Sequence, residues 1–356
     1  MTEKTFEISK PEGEQGFSLI EIMIGLVIFL VVMAAIFGVF RIGLITRNSL
    51  NNRSETVGNA RTAVNAVGRE AVNAGLGYSR VGSIVPDDFA NDLLGIPKDP
   101  GNERDMFTGV MAGDEVNESD LSLSGQKNDV ISFIYRDLNF NGGEPIVISD
   151  ASISGNNVVL DTGVDGCVSC KKYDVFLVEA ADGSQALAIA TNITSNRYVT
   201  LATNDPLNLN VSTSGNVESR SILTKCQVGE TSHCFDYNPH ATAKRVFLTS
   251  YSVNGAGTLV RTIYGNNTGA AGPQQIQTQP LSYGVQRFQV RYLMQDGTMS
   301  NDPSQGNTLQ SKMNEVVQVE IKITIRVEGN EQGTTNSEII NLTSTFSTRN
   351  LRYSVE

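Results

Sequence analysis

Asp137, Asn139, Asn141, Gly143 and Glu144 place oxygen-bearing side chains at alternate positions of one short segment, with a main-chain carbonyl available at Gly143. Alternation of this kind lets several oxygens converge on one hard cation, and Gly142 permits the sharp turn that convergence needs, so Ca2+ is the ion the pattern suits. Ile148 stands where the last, bidentate carboxylate of such a loop belongs, which leaves Glu144 or Asp150 to substitute. The plain alternative is a glycine-bearing turn between strands at Val130 to Arg136 and Ile146 to Ser149. The four cysteines form two close pairs in sequence, Cys167 with Cys170 and Cys226 with Cys234. In an exported segment these predict disulfides, with local pairing favoured among the three pairings available. Zinc is the rival, but Cys226 and Cys234 are too widely spaced for a second knuckle. Catalysis has little support: His233 and His240 are the only imidazoles, and neither falls in a nucleophile or phosphate-binding motif.

A different kind of chemistry is written at the other end of the chain. From Phe17 to Phe40 the residues are almost wholly apolar, and the run exceeds the ~20 residues that cross a hydrocarbon layer as a helix. It is too long for the core of a signal peptide. Glu21 interrupts it close to its start. A carboxylate at that depth is costly without a partner and marks a functional position.

The partner is suggested by the neighbours. Gly16-Phe17-Ser18-Leu19-Ile20-Glu21 resembles the processing motif of type IV prepilins, in which a peptidase cuts after the glycine and methylates the new N-terminus. The resemblance implies that residues 1–16 are a leader, that Phe17 becomes the methylated first residue, and that Glu21 serves assembly. An ammonium created at Phe17 and the Glu21 carboxylate of an adjacent subunit would neutralise one another where an unpaired charge is expensive. Two features run against the resemblance. The leader carries Lys4 and Lys10 against four glutamates, and Arg41, Arg47 and Arg53 come after the apolar run, a distribution that by itself keeps the C-terminal body in the cytoplasm. The motif and the paired cysteines require the opposite orientation, which is the one adopted: inner membrane, single pass, head in the periplasm and then on the pilus.

Beyond Phe40 the apolar residues thin to a stripe, Val57, Ala60, Val64, Val67 and Ala71, at steps of three or four. That spacing predicts an amphipathic continuation over residues 41–75, so that one helix from Ser18 to Asn73 spans roughly 85 Å. Gly75 and Gly77 supply its stop. The remainder, 76–356, reads as a β-rich head. Val317 to Val327 alternates apolar with polar residues, as do Phe288 to Met294 and Ile340 to Phe346, which predicts a C-terminal antiparallel sheet with one face free to cover the helix stripe. Tyr173 to Glu179 and Gln185 to Ile193 flank Asp182-Gly183, and Val246 to Ser252 and Thr258 to Tyr264 flank Asn254-Gly255, two hairpin signals. Pro86 to Gly125 reads as surface loops. The fold class expected is α+β: a long N-terminal helix packed on an antiparallel sheet with loop-rich insertions.

This order of elements, with Leu259-Val260-Arg261, Gly284-Val285-Gln286-Arg287-Phe288, the long strand from Val316 and Thr348-Arg349-Asn350, is similar to that of PilW-type minor pilins and the large minor pseudopilins of type II secretion. The resemblance implies a subunit that primes assembly or sits near a tip, without enzymatic activity. Its implied partners are prepilin peptidase, other minor and major pilins, and the inner-membrane assembly platform. A tip-displayed adhesin is a further alternative. A formal charge of -11 disfavours nucleic acid as a partner.

Overall fold

A computed structural model of the chain describes residues 16–78, 82–86, 89–96, 106–122, 125–154, 157–210, 235–237, 241–303, 312–328 and 337–348. Cys226, Cys234, His233 and His240 lie outside them. The chain divides into two compact units, residues 1–53 with 329–336, and residues 54–328 with 337–356.

One helix, α1 (Leu19–Asn73, 55 residues), runs from the first unit into the second. Ser18 starts it: the Ile20 amide donates to Ser18 Oγ at 3.4 Å, and the Ser18 amide donates to Glu21 Oε2 at 3.1 Å. Ser18 Oγ thus caps the helix at its second amide while Glu21 reaches back to the Ser18 amide, satisfying two amides the first turn would otherwise leave without partners. The helix passes without interruption through Gly25, Gly38 and Gly43. In the first unit its apolar side chains from Leu19 to Leu50 are largely exposed. In the second unit Ala60, Ala63, Val64, Val67 and Ala71 are buried, while Val57 is only half-buried. Gly75 and Gly77 end it at φ 74° and 63°, a left-handed backbone that favours glycine, and the Gly75 amide donates to the Ile134 carbonyl at 2.9 Å.

The rest of the second unit is mostly strand. In chain order come β1 (Ser83–Ile84), the short helix α2 (Phe89–Leu94), β2 (Met106–Phe107), β3 (Val110–Asn117) and β4 (Asn128–Arg136), then β5 (Ile146–Val147), β6 (Asp150–Ser154) and β7 (Asn157–Asp161). They are followed by β8 (Val175–Glu179), β9 (Gln185–Ile189), β10 (Asn192–Thr194), β11 (Tyr198–Leu201), β12 (Thr242–Val253) and β13 (Leu259–Tyr264). The last are β14 (Ile276–Ser282), β15 (Val285–Met294), β16 (Met299–Ser300), β17 (Val316–Glu328) and β18 (Ser337–Ser347). A ten-stranded sheet follows the order β14-β13-β12-β8-β9-β1-β2, with β4 and β5 on the other side of β12 and β3 outside β4. Two four-stranded sheets, β10-β11-β7-β6 and β16-β15-β17-β18, complete the fold. Within the described strands only the β1 to β9 pairing is parallel.

The stripe of α1 packs where the alternation of the C-terminal strands predicts. Val285, Phe288, Val290, Val319, Ile321, Ile323 and Ile325 share a core with Ala60, Val64, Val67 and Ala71, closed at its edge by Leu342 and Phe346. Each fully buried valine or isoleucine here contributes about 1.5–3 kcal/mol. Phe133 and Tyr251 of the large sheet enter the same core, so the stripe is gripped by two sheets instead of one. Gly68 lies under the Phe346 ring, in space a Cβ would fill.

Two expectations are corrected and one is sharpened. Pro86 to Gly125 is not all surface loop: it holds α2 and β3, and Val110 to Gly113 are buried. A short apolar stretch flanked by Asp, Asn, Gly and Pro gives a weak local signal, yet beside β4 it becomes interior. The glycine-bearing turn expected between β4 and β5 is present, with Gly142 and Gly143 at φ 67° and 89°, but it does not reverse the chain. Arg136 pairs with Val246 and Ile146 with Ala243, so both strands run the same way along β12 and residues 137–145 bulge outward from that line. The hairpin at Asp182-Gly183 forms, but its strands are shorter than predicted: Tyr173 has a φ of 72° and precedes β8, while Ile193 belongs to β10 in another sheet.

Asn128 and Asp129 join two sheets without forming a ladder. The Phe288 amide donates to Asn128 Oδ1 at 2.8 Å and the Val290 amide to Asp129 Oδ2 at 2.7 Å, while Asp129 Oδ1 accepts from the Glu115 amide at 3.0 Å. Burial pushes the Asp129 carboxyl up to about 7, against the lowering effect of its two amide donors; Asp114 pushes it further up, and Arg287 pulls it down. Because the unfolded carboxyl ionises near 3.9 and the folded one near neutrality, the unfolded state releases this proton first. Asp129 is therefore expected to lower stability progressively as pH rises from about 4 to 7, by a few kcal/mol at most. Urea titrations across that range should show a shallower pH slope for Asp129→Asn than for the parent chain. A slope unchanged by the substitution would contradict this assignment.

Candidate functional site

The processing segment is positioned by the helix it begins. Gly16, Phe17 and Ser18 precede the first turn and are exposed, and Phe17 is 84% exposed. Glu21 lies within that first turn, with its carboxylate on the Ser18 amide. The scissile position implied between Gly16 and Phe17 is thus in accessible chain just before the helix. Glu21 sits one residue's reach from the amine that cleavage would create. The reading of Glu21 as an intramembrane acid in need of a partner had not anticipated this local one, although the spacing Ser-x-x-Glu before an apolar run is its signature.

α1 contains a window with mean hydropathy 3.0, none of it buried. Length and composition suit a membrane span. Residues 13–37 match the prokaryotic N-terminal methylation motif. That match covers the helix start and little else, so it speaks to how the chain is processed and anchored rather than to the head. No curated protein matches the chain. The methylation motif together with the apolar helix supports a type IV pilin-like or pseudopilin-like protein anchored in a membrane, and the motif implies processing by prepilin peptidase and assembly with other pilins. The head of mixed and antiparallel sheet carried by a long helix is consistent with a pilin-like α+β fold.

The oxygen-bearing loop is arranged around an arginine. Asp137 Oδ2 accepts from Arg245 Nη2 at 2.5 Å and from Nε at 3.0 Å, and Asp137 Oδ1 accepts from the Asn139 amide at 2.9 Å. Arg245 also reaches Asp174 Oδ1 at 3.5 Å and lies 4.5 Å above the centre of the Phe140 ring. Asn141, in a left-handed conformation at φ 53°, donates from Nδ2 to the Glu144 carbonyl at 3.2 Å, and the Gly143 carbonyl accepts from Arg136 Nη2. Both Asp137 oxygens and the Gly143 carbonyl therefore already have partners. Among the described residues no cluster of three or more His, Cys, Asp or Glu side chains is placed to hold a metal. The sequence pattern indicated where oxygens alternate along the chain. It did not show Arg245, which enters from β12.

Cys167 and Cys170 are at disulfide distance, with Cα atoms 5.2 Å apart, and both are buried. The Cys167 amide donates to the Asn196 carbonyl at 2.9 Å, so the cysteine loop is held against the turn between β10 and β11. The Lys171 amide, next along the chain, donates to Asp174 Oδ2 at 2.8 Å, tying the loop to the Arg245 cluster. Burial raises the Asp174 carboxyl above its ordinary value, and the Lys171 amide and Arg245 act in the opposite direction.

A second buried ion pair lies on the helix stripe. Glu70 accepts from Arg261 Nη2 and, at 3.2 Å, from Thr249 Oγ1, and the Tyr135 hydroxyl lies near the same carboxylate. Nearby, the Tyr251 hydroxyl donates to the Ala66 carbonyl at 3.4 Å. This network fixes α1 against β4, β12 and β13. Sequence reasoning had passed over Glu70, although an acid between Val67 and Ala71 on an otherwise apolar stripe is a signal that a cation must come to meet it.

Proposed function

We propose that this chain is a minor pilin of a type IV pilus. It is made with residues 1–16 as a leader, held in the inner membrane by residues 17–40, and extended by the amphipathic helix 41–75 into a periplasmic head of residues 76–356. Prepilin peptidase cuts between Gly16 and Phe17 and methylates the amine of Phe17. The mature subunit then enters the filament through its helix, priming assembly or standing at the tip among other minor and major pilins. The observation that carries this reading is the methylation motif at the head of an unburied apolar helix that runs on into a sheet-packed stripe.

In that setting Glu21 has two successive tasks. In the precursor its carboxylate caps the first helical turn through the Ser18 amide. After cleavage a protonated amine appears one residue away, and the carboxylate of a preceding subunit draws the incoming ammonium to a fixed axial offset. Glu21→Gln keeps a capping oxygen but removes the charge. It is expected to leave cleavage intact and to reduce recovery of the subunit in sheared filaments at least tenfold, measured by immunoblot against the membrane pool. Equal incorporation of the glutamine variant would refute the charge-pairing role.

Mass spectrometry of the mature N-terminus tests the reading at its root. N-methylphenylalanine at position 17 is expected, whereas a mature chain retaining residues 1–16 in a host with active peptidase removes it. Deleting the gene and scoring surface pili against enzyme secretion separates a pilus subunit from a type II secretion pseudopilin.

A further inference from the structure

The disulfide among the described residues stands where two sheets meet. Cys167 and Cys170 belong to the core that Leu160 and Val199 of the β10-β11-β7-β6 sheet share with Phe176 and Ala188 of the ten-stranded sheet. On the Cys167 side the chain is bonded to the small sheet. Besides the Cys167 amide on Asn196, the Thr162 amide and hydroxyl both donate to the Arg197 carbonyl, at 3.0 and 2.8 Å. On the Cys170 side it runs through Lys171, Lys172, Tyr173 and Asp174 straight into β8 of the large sheet.

That corner is held against its own preferences. The left-handed φ of Tyr173 is one that bulky side chains rarely adopt, and such a conformation persists only where its surroundings over-determine it. Here the surroundings are main-chain bonds. The Tyr173 amide donates to the Ala190 carbonyl at 2.6 Å, the Ala190 amide to the Asp174 carbonyl at 2.9 Å, and the Asn266 amide to the Tyr173 carbonyl at 2.9 Å. Lys171 and Asp174 close on one another, because the Asp174 amide returns a bond to the Lys171 carbonyl at 3.1 Å. So held, Asp174 keeps a fully buried carboxyl on Arg245. A buried carboxylate gains by returning to water, so the corner is poised to open wherever its restraint is lost.

We propose that the Cys167–Cys170 disulfide is a redox-sensitive latch on this corner: oxidised, it keeps Asp174 on Arg245; reduced, it lets residues 171–174 open and Asp174 leave the arginine. The bridged residues are three apart, so the loop closed is short, its restraint on the unfolded chain is small, and its effect falls on the native corner beside it. Arg245 is shared with Asp137, so opening the latch leaves the bulge 137–145 held by the other carboxylate and the change stays local. The covalent step is exchange with a dithiol. The S–S bond breaks as two electrons and two protons pass from the dithiol, leaving two cysteine thiols and the dithiol oxidised to its own disulfide. The corner is thus completed only where thiols are kept oxidised. This proposal does not rest on the filament reading above.

The test is amide hydrogen exchange on the full chain in detergent, before and after dithiothreitol, with alkylation and peptide mapping to show that Cys167 and Cys170 have become thiols. Reduction is expected to speed exchange at residues 171–175 and at Ala190 roughly tenfold or more, while β17 keeps its protection. Cys167→Ala/Cys170→Ala should reproduce that pattern without reagent, and dithiothreitol should then change nothing further at these amides, which separates this pair from Cys226 and Cys234. The reduced parent chain decides the matter if that variant does not fold. With Asp174 already released, the stability lost in Arg245→Ala should be smaller in the reduced chain than in the oxidised one. Exchange at 171–175 indifferent to reduction, protection lost across the head including β17, a disulfide that dithiothreitol leaves intact in the folded chain, or an Arg245→Ala loss equal in both states would each overturn the proposal.

Discussion

Replacing Glu70 by alanine is expected to destabilise the second unit by about 3–5 kcal/mol, because it leaves the Arg261 guanidinium beside the core with its counter-ion gone. Glu70 and Arg261 are 7% and 27% exposed at their side chains, so solvent cannot fully replace the lost partner. Arg261 Nε already lacks a hydrogen-bond partner in this network, and Thr249 would lose its acceptor. The expected measurement is a lower urea midpoint for Glu70→Ala, with the double variant Glu70→Ala/Arg261→Ala losing clearly less than the sum of the two single losses. Additive losses would mean that the two groups do not depend on one another. Joint replacement by apolar residues of similar size should recover most of the loss, since a buried pair often contributes little beyond what good packing supplies.

Arg245→Ala should have an effect of comparable size, about 3–5 kcal/mol, for the opposite electrostatic reason: it strands two buried carboxylates instead of one cation. Asp174 is fully buried at its side chain and Asp137 is 5% exposed. Burial already raises the Asp174 carboxyl, and without Arg245 that effect is unopposed by its charge partner. An acid whose folded pKa lies above its unfolded one loses stability as pH rises through the interval between the two. The Arg245→Ala defect is therefore expected to be larger at alkaline than at acidic pH, where protonation relieves the stranded Asp174 charge. Arg245→Lys should recover only part of the loss, because an ammonium cannot repeat the forked contact to Asp137 or the stacking on Phe140. Denaturant midpoints of the three chains at two pH values check both statements; a defect independent of pH would show that lost packing, not stranded charge, dominates.

The Arg245 cluster shows how much of the surroundings of segment 137–144 lies outside that segment. Asp137, Asn139, Asn141 and Glu144 have the side chains of a cation loop, and in sequence the nearest cations are Lys127 and Arg136. The group that occupies Asp137 comes from more than a hundred residues away, through the register of β4, β5 and β12 along one line. Nothing local encodes that approach. The same holds for the amides of β15 that Asn128 and Asp129 accept from, 160 residues or more away.

The long helix and the C-terminal strands, by contrast, were legible because each is specified by its own periodicity. An apolar run of membrane length, a stripe at helical spacing, glycines at its end and strict alternation from Val317 to Val327 require only that neighbouring side chains share or alternate faces. The processing motif is local for the same reason, since a peptidase reads consecutive residues. Which sheet grips the stripe and which arginine meets which buried acid are relations between segments far apart in the chain. Hydrophobic alternation fixes the face a residue turns inward but not the identity of what it meets there, so those relations were decided only when the sheets closed on one another.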